Sequence, residues 1–350
     1  MRLSFKSILS IVTLALVVLV LVFSRHQLEH AWGLMSQVNI WLLASVAVFT
    51  ILSYLFSGEM IFSYLRQKNI IREVSPLTLM RVSLELNFVN HILPSGGVSG
   101  VSYMNWRLGK FGVSAAQAMM AQAVRYAAGF ASTIVLLIVS LVIVTIDGNI
   151  NRWIILMSAF LVITMTVTVA VFVYIVKSPT RIQRFGDRLQ QLSNRIVRVV
   201  TRGRRRKIID TNRLVTFFDD MHRDYVQLSR DKSLLVQPFI WGTLFVICDI
   251  LIFFVTFLAL GEVVNPAGIL IAYSLASLAG FAIVTPGGAG AYEAIMVWVL
   301  AVAGVQDGKA IAGVVLARVI ILLITIGVGY IFYQLTLNKY GKRTADIQSK

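Results

Sequence analysis

Two glycine-rich loops, each set inside an apolar stretch long enough to enter a bilayer, constrain this chain more than any other feature. The first reads Pro94-Ser95-Gly96-Gly97-Val98-Ser99-Gly100, and the second Pro286-Gly287-Gly288-Ala289-Gly290, followed by Ala291-Tyr292-Glu293. Backbone that leaves the helix at membrane depth finds no water for its N–H and C=O groups. It is tolerated only where it is buried in protein or lines a cavity. Two such breaks at matching positions of two halves are the pattern of a transporter built from internal repeats.

Composition excludes an ordinary soluble domain: 57% of the residues are hydrophobic and the mean hydropathy is +0.80. Only 14% are charged, yet the net charge is +16. Most of that charge sits between apolar segments, which indicates positive-inside topology and contact with anionic lipid headgroups. No nucleic-acid partner is expected. The single cysteine, Cys248, permits no disulfide within a monomer. His26 and His30 have the spacing of helical metal ligands, but only Glu29 accompanies them. Neither a metal nor a cofactor is expected.

Six segments are long and apolar enough to cross a bilayer: residues 7–23, 40–64, 115–146, 153–176, 238–260 and 310–335. The first follows Arg2 and Lys6 and precedes Ser24-Arg25-His26 rather than a small-residue cleavage site, so it is expected to remain as a span. With the N-terminus inside, the cytoplasmic face collects Arg66, Lys68, Arg72, Arg107, Lys110, the block 177–232 and the tail, leaving only Arg25, Arg152 and Lys309 outside. This balance requires that residues 76–108 and 266–304 each enter and leave on one side, the first from the cytoplasm and the second from outside. Eight full crossings are the alternative, which the charge pattern disfavours.

The expected fold is therefore an all-α polytopic membrane protein, with about six full spans and two re-entrant helical hairpins in an inverted repeat. It divides into a first span and outer loop (1–39), repeat one (40–146), a connecting span (147–176), a basic cytoplasmic amphipathic linker (177–235), repeat two (236–337) and a basic cytoplasmic tail (338–350). The repeat rests on landmarks in the same order. Glu59 precedes Pro76 by 17 residues, as Asp249 precedes Pro266; the loop prolines follow by 18 and 20, and Arg125 and Arg318 by a further 31 and 32. Both termini are expected in the cytoplasm.

The stretch Asn87-Phe88-Val89-Asn90-His91-Ile92-Leu93-Pro94-Ser95-Gly96-Gly97, with Thr285-Pro286-Gly287-Gly288-Ala289-Gly290-Ala291-Tyr292-Glu293-Ala294, resembles the lysylphosphatidylglycerol synthase transmembrane-region family, whose members are often labelled flippase-like. The resemblance covers nearly the whole chain. It implies a bacterial inner-membrane protein that moves lipid between leaflets. The soluble aminoacyl-transferase domain of the two-domain members has no counterpart before Lys350, so the resemblance implies translocation and no enzyme activity.

Ionisable groups within apolar segments are costly and are functional candidates. Arg125 and Arg318 lead, because guanidinium binds phosphate bidentately and keeps its charge when desolvated. In the alternative, Arg125 pairs with Glu59 or Glu85, and Arg318 with Asp249 or Glu293, to hold spans together; a breakable pair also serves as a gate. Gly96, Gly97, Gly287 and Gly288 precede expected helix starts at Val101 and Ala291, whose free N–H groups form a second phosphate site or merely close a tight turn. Asn90 satisfies broken backbone or touches a headgroup. His91 is a proton relay or a satisfied structural residue. Glu293 caps its helix or takes part in coupling. In the linker, Ile182, Phe185, Leu189, Leu192, Ile196 and Val199 form a stripe among arginines, expected at the lipid interface.

Three functions compete. The first is a carrier of a phospholipid or lipid-linked molecule, with anionic phospholipid as the expected partner and no Walker loop to drive it. The second is a membrane enzyme of lipid or lipid-linked sugar metabolism, which needs paired carboxylates facing one surface. The third is a non-transporting member of an envelope complex.

Overall fold

The computed structural model describes residues 25–34, 38–93, 98–146, 152–184, 211–282 and 289–340, with single positions at 15, 16, 18, 22, 186, 191 and 285. The described residues are helical, with no strand among them. The helices are α1 (Arg25–Leu34), α2 (Ile40–Gln67), α3 (Pro76–Ile92), α4 (Val98–Gly109), α5 (Ala115–Ile146), α6 (Arg152–Val176), α7 (Thr211–Arg230), α8 (Val236–Ala259), α9 (Pro266–Ala282), α10 (Ala291–Val302), α11 (Asp307–Ile324) and α12 (Tyr330–Tyr340). A 3-10 turn over Lys232–Leu235 leads into α8, and a π-helical turn over Thr325–Gly329 joins α11 to α12.

Five helices are long and apolar enough to cross a membrane: Ile40–Gln67, Ala115–Val142, Ile155–Val176, Lys232–Ala259 and Asp307–Tyr340. The 28 residues of α2 span roughly 42 Å at 1.5 Å per residue, more than a hydrocarbon core of about 30 Å. The chain is a multi-pass membrane protein. Most of the sixth expected span, 7–23, lies outside the described residues.

Between the spans stand two helical hairpins. The described parts of α3 and α9 have 17 residues each, and those of α4 and α10 have 12 each. An arm of 12 residues reaches only about 18 Å, too short to cross alone. Local signals set their ends. Ser75 caps α3 by accepting the Thr78 N–H, with Pro76 in the first helical position, where its missing N–H is harmless. Helix α4 is already formed at Val98, ahead of the expected start at Val101, while α10 begins at the expected Ala291. Gly290 enters α10 at φ +90°, a conformation that an L side chain resists.

The central packing is between α2 and α8, and they run antiparallel. The Asn39 N–H bonds the Ala259 carbonyl at 3.0 Å, Ser53 bonds Asp249, and Phe56 stacks on Trp241 with centroids 5.5 Å apart. The other spans surround this pair reciprocally: α2 touches α5 and α11, and α8 touches the same two. The main hydrophobic core lies here, with Val46, Leu137, Leu161, Phe253, Phe257, Met296, Leu300 and Val314 buried together.

The basic linker departs from expectation. Ile182 was read as facing lipid; it is buried against Val176, Phe218 and Met221 instead. The missed element is α7, whose Phe218, Met221 and Tyr225 recur at helical spacing and pack on protein rather than on headgroups. Lys68 at the end of α2 anchors it through a 2.6 Å ion pair to Asp224. Leu189, Leu192, Ile196 and Val199 lie outside the described residues.

Candidate functional site

Packing the three other described spans and two hairpins with α2 and α8 leaves a cavity of about 300 Å³ that draws on both halves. Its polar wall comes from Asn87, Asn90 and His91 of α3, Arg125 and Tyr126 of α5, Tyr273, Ser274 and Ser277 of α9, Tyr292 of α10, and Arg318 of α11. Its apolar wall comes from Phe130, Met165, Phe245, Val246 and Leu278. A concave space with apolar sides and a few convergent polar groups is the usual form of a small-ligand site.

The two arginines are held differently. The Nε of Arg318 donates to Glu293 Oε1 at 2.7 Å, and its guanidinium lies 4.4 Å from the Tyr292 ring centroid. The other oxygen of Glu293 accepts the Gly290 N–H at 2.7 Å. One carboxylate thus starts α10 and orients Arg318, combining the capping and pairing readings of its sequence position. Arg125 meets neither Glu59 nor Glu85. Among the described residues it has no ion-pair partner, and its guanidinium lies 5.0 Å from the Tyr126 ring centroid.

Other candidates are placed around or away from the cavity. His91 donates Nδ1–H to the Asn87 carbonyl at 2.9 Å. The Asn87 amide donates to the Ser83 carbonyl at 2.9 Å. Asn90 abuts Gly100, where any Cβ would lie 1.9 Å from Asn90 Oδ1, so the Asn90 side chain packs directly on the Gly100 backbone across the hairpin. Asp249 stands behind the cavity wall, accepting from Ser53 and from the wall residue Tyr273. The spacing that matched Glu59 to Asp249 does not give them like environments, for Glu59 is bound by both terminal nitrogens of Arg66. Gly96, Gly97, Gly287 and Gly288 lie outside the described residues. The described flanks of those loops do reach the cavity, through Asn90 and His91 before the first and Thr285 in the second.

Glu85 belongs to a second, largely buried polar cluster. It accepts from Tyr103 at 2.6 Å, Arg107 Nε at 3.1 Å and Thr336 at 2.6 Å, which ties both arms of the first hairpin to α12. Arg107 is 4% exposed and lies between the rings of Phe111 and Tyr340. Sequence reasoning had counted it among the cytoplasmic charges of the positive-inside pattern, a signal that does not tell a solvated arginine from a buried one. Tyr273, Ser274 and Ser277 were also missed. Their three- and four-residue steps on the apolar helix α9 form a polar stripe that helical periodicity can reveal.

A family model for the lysylphosphatidylglycerol synthase TM region matches residues 7–329, nearly the whole chain. No curated protein matches it. The chain belongs to that family, which together with the five apolar helices makes it a membrane-embedded protein of lipid-related function.

Proposed function

We propose that this member of the lysylphosphatidylglycerol synthase TM-region family is a carrier that moves a phospholipid or lipid-linked molecule between the leaflets of the bacterial inner membrane. Its headgroup phosphate is held between Arg125 and Arg318. The observation that carries this reading is that the two arginines, far apart in sequence, line one cavity. A phosphate dragged through a low-dielectric region needs donors that stay charged there, and guanidinium supplies them. The apolar wall of Phe130, Met165, Phe245 and Leu278 suits the start of an acyl chain.

The antiparallel pair α2 and α8, each followed by a helical hairpin, favours inverted repeats whose hairpins re-enter from opposite faces. Such halves rock around a shared site, and a site lined by both halves is what rocking needs. The glycine loops, with Gly96, Gly97, Gly287 and Gly288, then bring the N-termini of α4 and α10 towards the phosphate. Asp249, His91 and Glu293 act as the coupling or gating groups, while Glu59 and Glu85 serve as struts. No covalent step is required, so the protein acts as a carrier and not as an enzyme.

The test is transbilayer movement of acyl-labelled anionic phospholipid in liposomes, with and without a proton gradient, for the wild type and for Arg125→Ala/Arg318→Ala. Movement that the folded double variant loses supports the carrier. A folded wild type that moves no lipid class overturns it.

A further inference from the structure

Of the acids placed within apolar segments, Glu59, Glu85 and Glu293 each meet an arginine. Asp249 is different. Among the described residues it meets no cation; Oδ1 accepts from Ser53 and Oδ2 from Tyr273, both neutral hydroxyls. A carboxylate inside a membrane protein is costly to hold ionised without a cation, and a proton is the simplest ion to balance it.

The groups around Asp249 leave it as the one suited to exchange that proton. Its neighbour on α8 is Cys248; Tyr54 faces it from α2, Tyr273 from α9 and Tyr292 from α10. A thiol and phenols keep their protons at neutral pH. The charged side chain of α5 is Arg125 and that of the inner part of α11 is Arg318, both on the cavity wall and both permanently charged. His91 of α3 stands against Tyr54, with ring centroids 6.1 Å apart. It gives Nδ1–H to the Asn87 carbonyl, and a positive charge on its ring would meet Arg318.

Tyr273 connects Asp249 to the cavity, whose wall it forms. A phenol has one proton to donate, and while Asp249 is ionised that proton goes to Oδ2. A protonated carboxyl is itself a donor. Tyr273 then accepts from it and turns its own O–H towards an anion in the cavity. Charge balance points the same way. With Asp249 ionised and the cavity empty, Asp249 and Glu293 offset Arg125 and Arg318. With Asp249 protonated, one positive charge is in excess, and one anionic headgroup cancels it. Both of these states are neutral, and a neutral site crosses a low-dielectric region with the smallest penalty.

Resting on the carrier reading, we infer that Asp249 is a proton-binding site and that one proton moves with each anionic headgroup in the same direction, with Tyr273 linking the two sites. The proton comes from water on the loading side, rests on the carboxyl and leaves to water on the other side. Ser53 belongs to the first half, and Asp249 and Tyr273 to the second. Rocking of the halves thus presents the carboxyl to one face and then to the other.

The experiment uses the full chain in phosphatidylcholine liposomes with a small fraction of phosphatidylglycerol, part of it acyl-labelled, and protein-free liposomes as background. Movement of one proton per lipid predicts that a gradient of one pH unit holds the probe at about a tenfold excess in the leaflet facing the alkaline side. A potassium diffusion potential should leave the distribution unchanged, because the pair is neutral. Asp249→Asn, a permanent mimic of the protonated carboxyl, is expected to exchange labelled for unlabelled lipid at equal pH and to lose the response to the gradient. Tyr273→Phe keeps the ring in the wall without the hydroxyl, and its leaflet ratio should fall well below that of the wild type. A probe that moves but ignores the pH gradient, follows the potential or gathers on the acid side would overturn the inference and leave the carrier reading standing, as would a wild-type ratio in either folded variant. If the variants do not fold, the wild-type ratio alone decides. A probe that does not move overturns the carrier reading, and this inference with it.

Discussion

Removing Glu85 tests whether the first hairpin is fixed to the last helix by charge. Glu85 is 1% exposed and takes three hydrogen bonds, from Tyr103, Arg107 and Thr336. Hydrogen bonds to a charged group contribute about 1.5–3 kcal/mol each, and three of them taken separately would exceed the cost of breaking a buried ion pair, about 3–5 kcal/mol. The smaller figure governs, because Tyr103 and Thr336 can find other partners while Arg107 cannot. Nη1 of Arg107 already lacks a partner among the described residues, and its nearest neighbours are the rings of Phe111 and Tyr340. Glu85→Leu is thus expected to cost about 3–5 kcal/mol, read by titrating protein in detergent micelles with dodecyl sulfate and following tyrosine and tryptophan fluorescence. The double variant Glu85→Leu/Arg107→Met should recover much of that loss, since an apolar replacement of both partners removes the stranded charge. Glu59→Ala is the internal control. Glu59 and Arg66 have side-chain exposures of 22% and 35%, and such a pair contributes no more than about 1 kcal/mol. Equal losses for Glu85→Leu and Glu59→Ala, or additive losses in the double variant, would refute the reasoning.

Three further outcomes follow from packing. Gly329→Ala would place a methyl group 2.5 Å from Phe88 Cβ and 3.1 Å from the Leu84 carbonyl, where backbone cannot yield; a loss of about 1–3 kcal/mol in the same titration is expected. Lys68→Ala breaks the buried link to Asp224, so hydrogen exchange should rise in α7 while the amides of α8 keep their protection. Tyr54→Phe removes the 2.5 Å bond to Thr325 beside the π-helical turn, and about 1 kcal/mol of stability should go with it.

The spans were legible because a bilayer demands continuous apolar length, and five of those expected coincide with helices long enough to cross. The hairpin ends were legible at Pro76, Pro266 and Ala291, since proline and glycine punctuate helices for local reasons. Arg125 and Arg318 line one cavity, but matched spacing is no guide to environment, since it also paired Glu59, bound by Arg66, with Asp249, bound by Ser53 and Tyr273. What stayed hidden depends on contacts between distant segments. Arg107 looked like any cytoplasmic arginine until Glu85 and Tyr340 closed on it. Glu59 and Glu85 were the acids open to Arg125, but Glu59 is taken by Arg66, two helical turns along α2, and Glu85 by Arg107. Helix α7 was passed over because its apolar stripe is short and set among charges, and only Ile182 and Val176 show that it has a protein surface to cover.

The central claim is that a headgroup phosphate sits between the two arginines. The most direct measurement is an experimental structure of the wild-type protein in nanodiscs of anionic phospholipid, with the phosphorus located in the map. The account predicts phosphate density within hydrogen-bond distance of the guanidinium groups of both Arg125 and Arg318. A cavity filled by acyl chain alone, with every headgroup at the membrane surface, would contradict it.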